Sequence, residues 1–383
     1  MTIAAPPTRR DIAYRGFHLP ADSTAGTVDG LHATDRGLAL DDADQRGRWT
    51  TPPVRVGFGV GEVVPSWTAE TPNGCWIEVE LRGWHGDAPS TDWYLLARWA
   101  ADDSAVRRAS VPGQHDGDAR VNTDTLLVTG ATVTGWQARV TLCRPADSPT
   151  GPVLRSIGAV AAGPTPTHQG YEQEPAVAAA RGRVLDVPRY SQRLHAGQHP
   201  QWGGGGDSWC SPTCISMVLA YWGADPPPER YAWVEPPGPR PVVVHAARHC
   251  YDHAYAGAGN WPFNTAYAGL HGVDAFVTRL RSLVEAEAFV AAGIPLIVSA
   301  AFRADEVPGL AYDSRGHLMV LVGFTADGDP VLNDPYAPDD DSVRRTVPRQ
   351  RFEAAWQRGS GGMAYVLRPS SVPLPLPPAQ ANW

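Results

Sequence analysis

Long apolar runs, cysteine and excess positive charge are all scarce in this sequence. No stretch approaches the roughly 20 apolar residues that a membrane-crossing helix needs, so a membrane is not expected as a partner. The opening "MTIAAPPTRRDIAYRGF" lacks the apolar centre of a secretory leader, and the chain as written reads as cytoplasmic; a start lying upstream would make it secreted. Five cysteines, Cys75, Cys143, Cys210, Cys214 and Cys250, are odd in number and widely scattered, which excludes a disulfide framework. With 32 Lys and Arg against 40 Asp and Glu the net charge is -8, and the broad basic face that nucleic acid selects is excluded.

At 383 residues the chain predicts two domains. From Trp49 to Val160, short alternating runs such as "CWIEVELRGW", "DWYLLARWA" and "WQARVTLC" each end in turn residues, the signature of an antiparallel sandwich. Residues 1–160 are therefore assigned to an all-β, jelly-roll-like accessory sandwich. Its tryptophans Trp49, Trp67, Trp76, Trp84, Trp93, Trp99 and Trp136 read mostly as core, with a glycan or peptide contact as the other use of such rings. Residues 161–182, rich in Pro, Gly and small side chains, read as a linker. Residues 183–383 read as an α+β domain. Ile215, Val218, Leu219 and Trp222 predict an amphipathic helix with Pro212 in its first turn. Further helices are expected at "VVVHAARHCYDHAYA", "VDAFVTRLRSL" and "EAEAFVAAG", and then strands at "IPLIVSAAF", "HLMVLVGF", "PVLND" and "MAYVLRP".

Chemistry concentrates in "DSWCSPTCISMVLAYWG", where Cys210 opens the helix. A helix N-terminus and a nearby imidazolium both stabilise a thiolate, so a histidine packed against the helix would complete a nucleophile. His317 opens an apolar strand that turns at "TADGD" and returns to Asn333 and Asp334. Either of the two can reach His317 across such a hairpin; they point to opposite faces, so only one can orient the ring.

The pieces "WCSPT", "GHLMVLVGF", "LNDPY" and "LDVPRYSQ" resemble the papain-like C39 cysteine peptidases, in particular the C39-like group of stand-alone bacterial proteins, over residues 183 to 369. The resemblance implies a papain-like cysteine peptidase fold with Cys210 as nucleophile, His317 as general base and then acid, and Asp334 as the orienting group. Gln192 and the Cys210 N–H would form the oxyanion hole. Members of the group usually read Cys-Gly-Pro where this chain has Cys210-Ser211-Pro212. The long segment after Gln192 makes Gln198 and Gln201 rival donors, and Asn333 competes with Asp334.

Other clusters point less sharply. His245, His249 and His253 recur at i, i+4, i+8 beside Cys250, but they lack the glutamate of a zinc-protease helix, and no metal is expected. Cys214 reads as a buried small residue, "YAPDDDS" as a solvated turn, and "WGGGGD" as a flap beside Cys210. The expected function is a cofactor-free cysteine hydrolase acting on a peptide or other amide through an acyl-enzyme. The alternatives are an acyltransferase or transglutaminase-like enzyme using the same triad, and a non-catalytic protein that binds through its sandwich.

Overall fold

The computed structural model describes residues 9–103, 105–165, 176–235 and 237–383. Residues 166–175 of the expected linker and 1–8 of the opening lie outside the described residues.

The N-terminal region is an all-β sandwich. One seven-stranded antiparallel sheet runs in the order Ala119–Asn122, Thr125–Val128, Glu62–Glu70, Val153–Ala162, Gly37–Leu40, Leu31–Thr34, with Ile12–His18 also paired to Val153–Ala162. The other, eight-stranded, is centred on Trp76–His85 and Gly135–Cys143, which pair along their whole length. Period-two alternation becomes an inside and an outside here: Ile77, Val79 and Leu81 are buried, whereas Glu78, Glu80 and Arg82 face outward. Trp49, Trp67, Trp99 and Trp136 are fully buried between the sheets; Trp76, Trp84 and Trp93 are half-buried.

The C-terminal part is α+β. A six-stranded antiparallel sheet runs Asp274–Arg279, Met363–Arg368, Leu296–Phe302, Ser314–Phe324, Pro330–Asn333, Arg344–Thr346. Alternate residues of its strands feed two apolar clusters. Val277, Ile297, Leu318 and Val320 pack with helices α1 (Cys210–Trp222), α2 (Pro241–Cys250) and α3 (Trp261–Gly269). Phe276, Leu296, Val298 and Met319 pack with α4 (Leu283–Ala291) and α5 (Arg349–Ser360) on the opposite face. Among the described residues no helix is long and apolar enough to cross a membrane.

Three expectations change. "VDAFVTRLRSL" is the strand Asp274–Arg279 followed by a loop, so the sheet does not simply follow the helices; with apolar cover on both faces, its hydrophobic run carries no period that separates strand from helix. The helix at "VVVHAARHCYDHAYA" stops at Cys250, because the Asp252 carboxylate turns back to accept the N–H groups of Ala254 (3.0 Å) and Tyr255 (3.1 Å). Helix α1 is buried on every side from Ser211 to Leu219 rather than amphipathic.

The sandwich and the α+β part share a core. Phe263 and Ala266 of α3 belong to the sandwich cluster, with the Phe263 ring edge-on to Trp67 at 6.1 Å between centroids. In return Ile12, Val64, Val160 and Ala162 of the sandwich pack into the cluster of α1 and α3. Arg108, 1% exposed, crosses the seam to the carbonyls of Arg248 (2.8 Å) and Tyr251 (3.2 Å), and Arg279 pairs with Glu62 at 3.0 Å. Residues near the C-terminus close the seam: Ile12 N–H donates to Gln380 Oε1 (3.1 Å) and Tyr14 N–H to the Ala381 carbonyl (3.1 Å).

Phe263→Ala, a helix substitution, should therefore open a cavity in the sandwich. The expected loss is about 3–5 kcal/mol by chemical denaturation, with sandwich tryptophan fluorescence and helical circular dichroism moving together. Separate transitions for the two signals would show that the halves do not share a core.

Candidate active site

Helix α1 starts at Cys210 with no side-chain cap on its first N–H groups, Pro212 fills a position that needs no donor, and Gly223, at φ +63°, ends it. The exposed end of the backbone dipole therefore lies at the thiol. Cys210 is half-buried, while Cys75, Cys143, Cys214 and Cys250 are buried. Burial pushes Cys143 up to about 12 and holds Cys214 well above the usual thiol range. Cys210 goes the other way. Burial acts to raise it, but the hydrogen bond and charge of His317, with backbone hydrogen bonds from Leu318 and Ser211, outweigh that and bring it down.

His317 lies on Ser314–Phe324, opposite Ala300 of the neighbouring strand. Its Nε2 is 2.8 Å from Asp334 Oδ1, which leaves Nδ1 for the thiol. Burial works against a charged ring, yet Asp334 and Cys210 together raise it to about 9. Asp334 itself is fully buried. Desolvation would push its carboxyl up; the bond and charge of His317, the Tyr336 N–H and Arg345 hold it below the ordinary value. Its Oδ1 also accepts from Tyr312 OH (3.0 Å) and Tyr336 N–H (3.0 Å), and its Oδ2 lies 3.3 Å from Arg345 Nε.

Asn333 does not face His317. Its Nδ2 donates to the Pro188 carbonyl (3.0 Å) and its Oδ1 accepts from Arg344 Nε (3.0 Å). Strand parity is the reason: Asn333 pairs with Val320, three residues beyond His317 and so on the other face, and Asp334 falls on the histidine's face. A register shift between Leu321 and Gly323 absorbs the extra residue in the strand rather than in the turn.

Gln192 is fully buried on a short helical turn, Gln192–His195, and its N–H donates to the Pro335 carbonyl at 2.8 Å, one residue from Asp334. Its Nε2 donates to Gly206 O (2.7 Å) in the loop leading into Cys210, and its Oε1 has no partner among the described residues. Gln198 instead bonds His195 (3.1 Å), and Gln201 is exposed. The expected flap is a tight knot. Ser208 Oγ donates to Gly203 O (2.7 Å), and at Gly205 (φ +68°) a Cβ would come within 1.8 Å of the His195 carbonyl. Ser211, where the group usually has glycine, is buried with its Oγ 3.1 Å from Tyr365 OH.

Among the described residues no group of three or more His, Cys, Asp and Glu could hold a metal ion. His245 and His249 stack at 4.0 Å with His271 nearby, whereas His253 lies apart, 3.5 Å from Asp103. The acidic turn is tied down, since Asp340 accepts from the Ser191 N–H (2.7 Å) and Arg240 (2.8 Å). Sequence reasoning missed Tyr312 and Arg345. Tyr312 sits in a loop without periodicity, and only its place shortly before His317 could have singled it out.

Two family models match consecutive parts of the chain: "Peptidase C39 N-terminal domain" over residues 13–162 and "Peptidase_C39 like family" over residues 184–363. The chain belongs to the C39-like peptidase family. That membership supports a peptidase. No curated protein matches it. Solved structures similar to it include CsCBM6-3 from Clostridium stercorarium in complex with cellobiose, at 10% identity over 37% of this chain and 90% of that one, with a TM-score of 0.20. A family two carbohydrate esterase from Cellvibrio japonicus matches at 14% identity over 46% of this chain and 42% of that one, TM-score 0.20. The CBM22-1-GH10 modules of Clostridium thermocellum xylanase 10B with xylohexaose match at 9% over 46% and 32%, TM-score 0.19. Scores this low give these likenesses no weight for fold or ligand.

Alkylation by iodoacetamide should single out Cys210, with a midpoint below the roughly 8.5 of a free thiol. In His317→Ala, burial remains and the imidazolium is gone, so the midpoint should rise above that value. Tyr312→Phe frees Asp334 of one donor and so strengthens its hold on the histidine proton; the His317 imidazole titration, followed by NMR, should move upward. The buried histidines act on stability. Burial brings His245, His249 and His271 down to about 2, 3 and 4 respectively. Unfolding lets each charge near 6.5, so their contribution is intact above that pH and is lost as pH falls below it. Urea midpoints should fall from pH 7 to pH 4, and His249→Gln should flatten part of that fall.

Proposed function

We propose that the protein is a cysteine peptidase that cleaves an amide bond through Cys210, His317 and Asp334. The observation that carries this reading is the meeting of a half-buried, down-shifted thiol at a helix N-terminus with an imidazole that a buried carboxylate keeps charged. The thiolate attacks the substrate carbonyl carbon and the carbonyl electron pair moves onto oxygen. That oxyanion is held by the Cys210 N–H and by the second N–H of Gln192 Nε2, the first being committed to Gly206. As the tetrahedral centre collapses, the C–N bond breaks and His317 gives its proton to the leaving amine. Water, losing a proton to His317, then attacks the thioester and releases Cys210 as thiolate.

Asp334 holds the ring with Nδ1 toward sulfur and stabilises the imidazolium. No cofactor enters this chemistry. The substrate is a peptide or another amide, and five free thiols suit a reducing compartment.

The test incubates wild-type and variant proteins with a proteome-derived peptide mixture and maps new termini by mass spectrometry. Cys210→Ala should abolish cleavage while leaving the melting temperature near that of the wild type. Gln192→Ala should lower kcat by about 100- to 1000-fold with little change in KM. Added hydroxylamine should divert part of the product to hydroxamate, the mark of an acyl-enzyme. Undiminished cleavage by Cys210→Ala would remove the reading.

A further inference from the structure

We propose that Arg193, stacked on Tyr336 beside His317, forms a subsite that receives a carboxylate carried by the leaving half of the substrate. The proposal deepens the peptidase reading and rests on it. Arg193 follows Gln192 on the short turn Gln192–His195, and its backbone N–H donates to Ser191 Oγ (3.1 Å), a buried hydroxyl that in turn donates to the Ala337 carbonyl. The side chain crosses from that turn to two other parts of the site. Its Nη1 pairs with Asp207, three residues ahead of Cys210, and lies 3.5 Å from Tyr336 OH, while the guanidinium carbon stands 5.0 Å from the centre of the Tyr336 ring.

Two tyrosines join the arginine to the imidazole. Tyr336 and Tyr312 pack at 4.5 Å between centroids, and each meets the His317 ring, at 6.1 Å and 5.5 Å respectively. The Tyr336 N–H bound to Asp334 Oδ1 (3.0 Å) fixes the backbone from which that ring projects. Through Tyr336 the guanidinium lies within about 11 Å of the imidazole, roughly the span of three extended residues. His317 is the group that gives its proton to the leaving amine, so the segment that departs is the one that passes this wall.

Arg193 keeps donors for a ligand. Among the described residues its side chain has protein partners at Nη1 alone, and the Nε–Nη2 edge has none. The side chain is 36% exposed, so that edge is open to water. A guanidinium held against an aromatic ring with this edge free is the fork that grips a carboxylate through two parallel hydrogen bonds. Asp207 takes the other corner and is 78% exposed, and an ion pair so open to water is held weakly. The neighbouring arginines are spent within the protein: Arg344 on Asn333 (3.0 Å) and the Val187 carbonyl (2.8 Å), Arg345 on the Gly309 carbonyl (3.0 Å) and Asp334 (3.3 Å). The substrate carboxylate is an Asp or Glu side chain or the free C-terminus of a peptide, one chemistry from two sources.

Full-length protein at pH 7 is treated with 2-carboxyethyl methanethiosulfonate, an anion, and methyl methanethiosulfonate, its neutral counterpart, and both rates at Cys210 are read by mass spectrometry. Arg193→Gln should lower the anion-to-neutral rate ratio by about threefold. Asp207→Asn, on the surface, frees the guanidinium of its competitor and should raise the ratio; it keeps the test decisive if the Arg193 variant folds poorly. Arg189→Gln removes an equal charge from an exposed position and should leave the ratio unchanged. An unchanged ratio in folded Arg193→Gln, no rise in Asp207→Asn, or an equal fall in Arg189→Gln overturns the subsite. With the peptide mixture, wild-type cuts should be enriched for a carboxylate within about three residues after the cut, and Arg193→Gln should lose that enrichment. Enrichment for Asp and Glu assigns the side chain; cuts confined to the end of the chain and abolished by C-terminal amidation assign the terminus. The reagent ratio is independent of hydrolysis: a falling ratio without cleavage upholds the subsite and removes the peptidase reading, and cleavage with neither enrichment overturns the subsite and leaves that reading standing.

Discussion

A carboxylate stripped of water keeps its charge only when the protein returns the lost hydrogen bonds, and the whole site hangs on that condition at Asp334. Three donors converge on its Oδ1, and a guanidinium stands near Oδ2. A charged Asp334 makes a charged His317 tenable in a buried setting, and a charged His317 makes a thiolate tenable at Cys210. Each step costs desolvation and is offset by the next partner in line, so the three groups titrate as one coupled unit.

The fold serves this chain of charges by geometry. A strand delivers the imidazole, the return strand delivers the carboxylate one residue past its last ladder pair, and α1, packed against the opposite face through Leu318 and Val320, brings its N-terminus to the sulfur beside the Leu318 backbone. The short turn that carries Gln192 is bonded to Pro335, so the amide and the carboxylate share a support. The glycines ahead of Cys210 fold the incoming chain into a knot too tight for a side chain at Gly205.

Much of this could be read from residue types and order. Cys210, His317 and the pair Asn333-Asp334 announce themselves because a helix start, a strand start and a hairpin return all leave local marks. The choice between Asn333 and Asp334 left no such mark, since it turns on a one-residue register shift between Leu321 and Gly323 inside an unbroken apolar run. The strand Asp274–Arg279 was misread for a related reason: with cover on both faces, its hydrophobic residues have no period to betray the conformation. Tyr312 lies in a loop and Arg345 on the short edge strand Arg344–Thr346, where tertiary position alone gives a side chain its meaning.

The sharing of Phe263 bears on how such a protein can change over generations. Accessory β-domains that fold alone can be gained, lost or exchanged by gene fusion, because their cores are closed. Here the sandwich core is completed by a residue that belongs to α3, and sandwich residues in turn complete the cluster around α1. A recombination break between the halves would leave two open cores in place of one shared interior. The two parts are bound to be inherited, and to diverge, together.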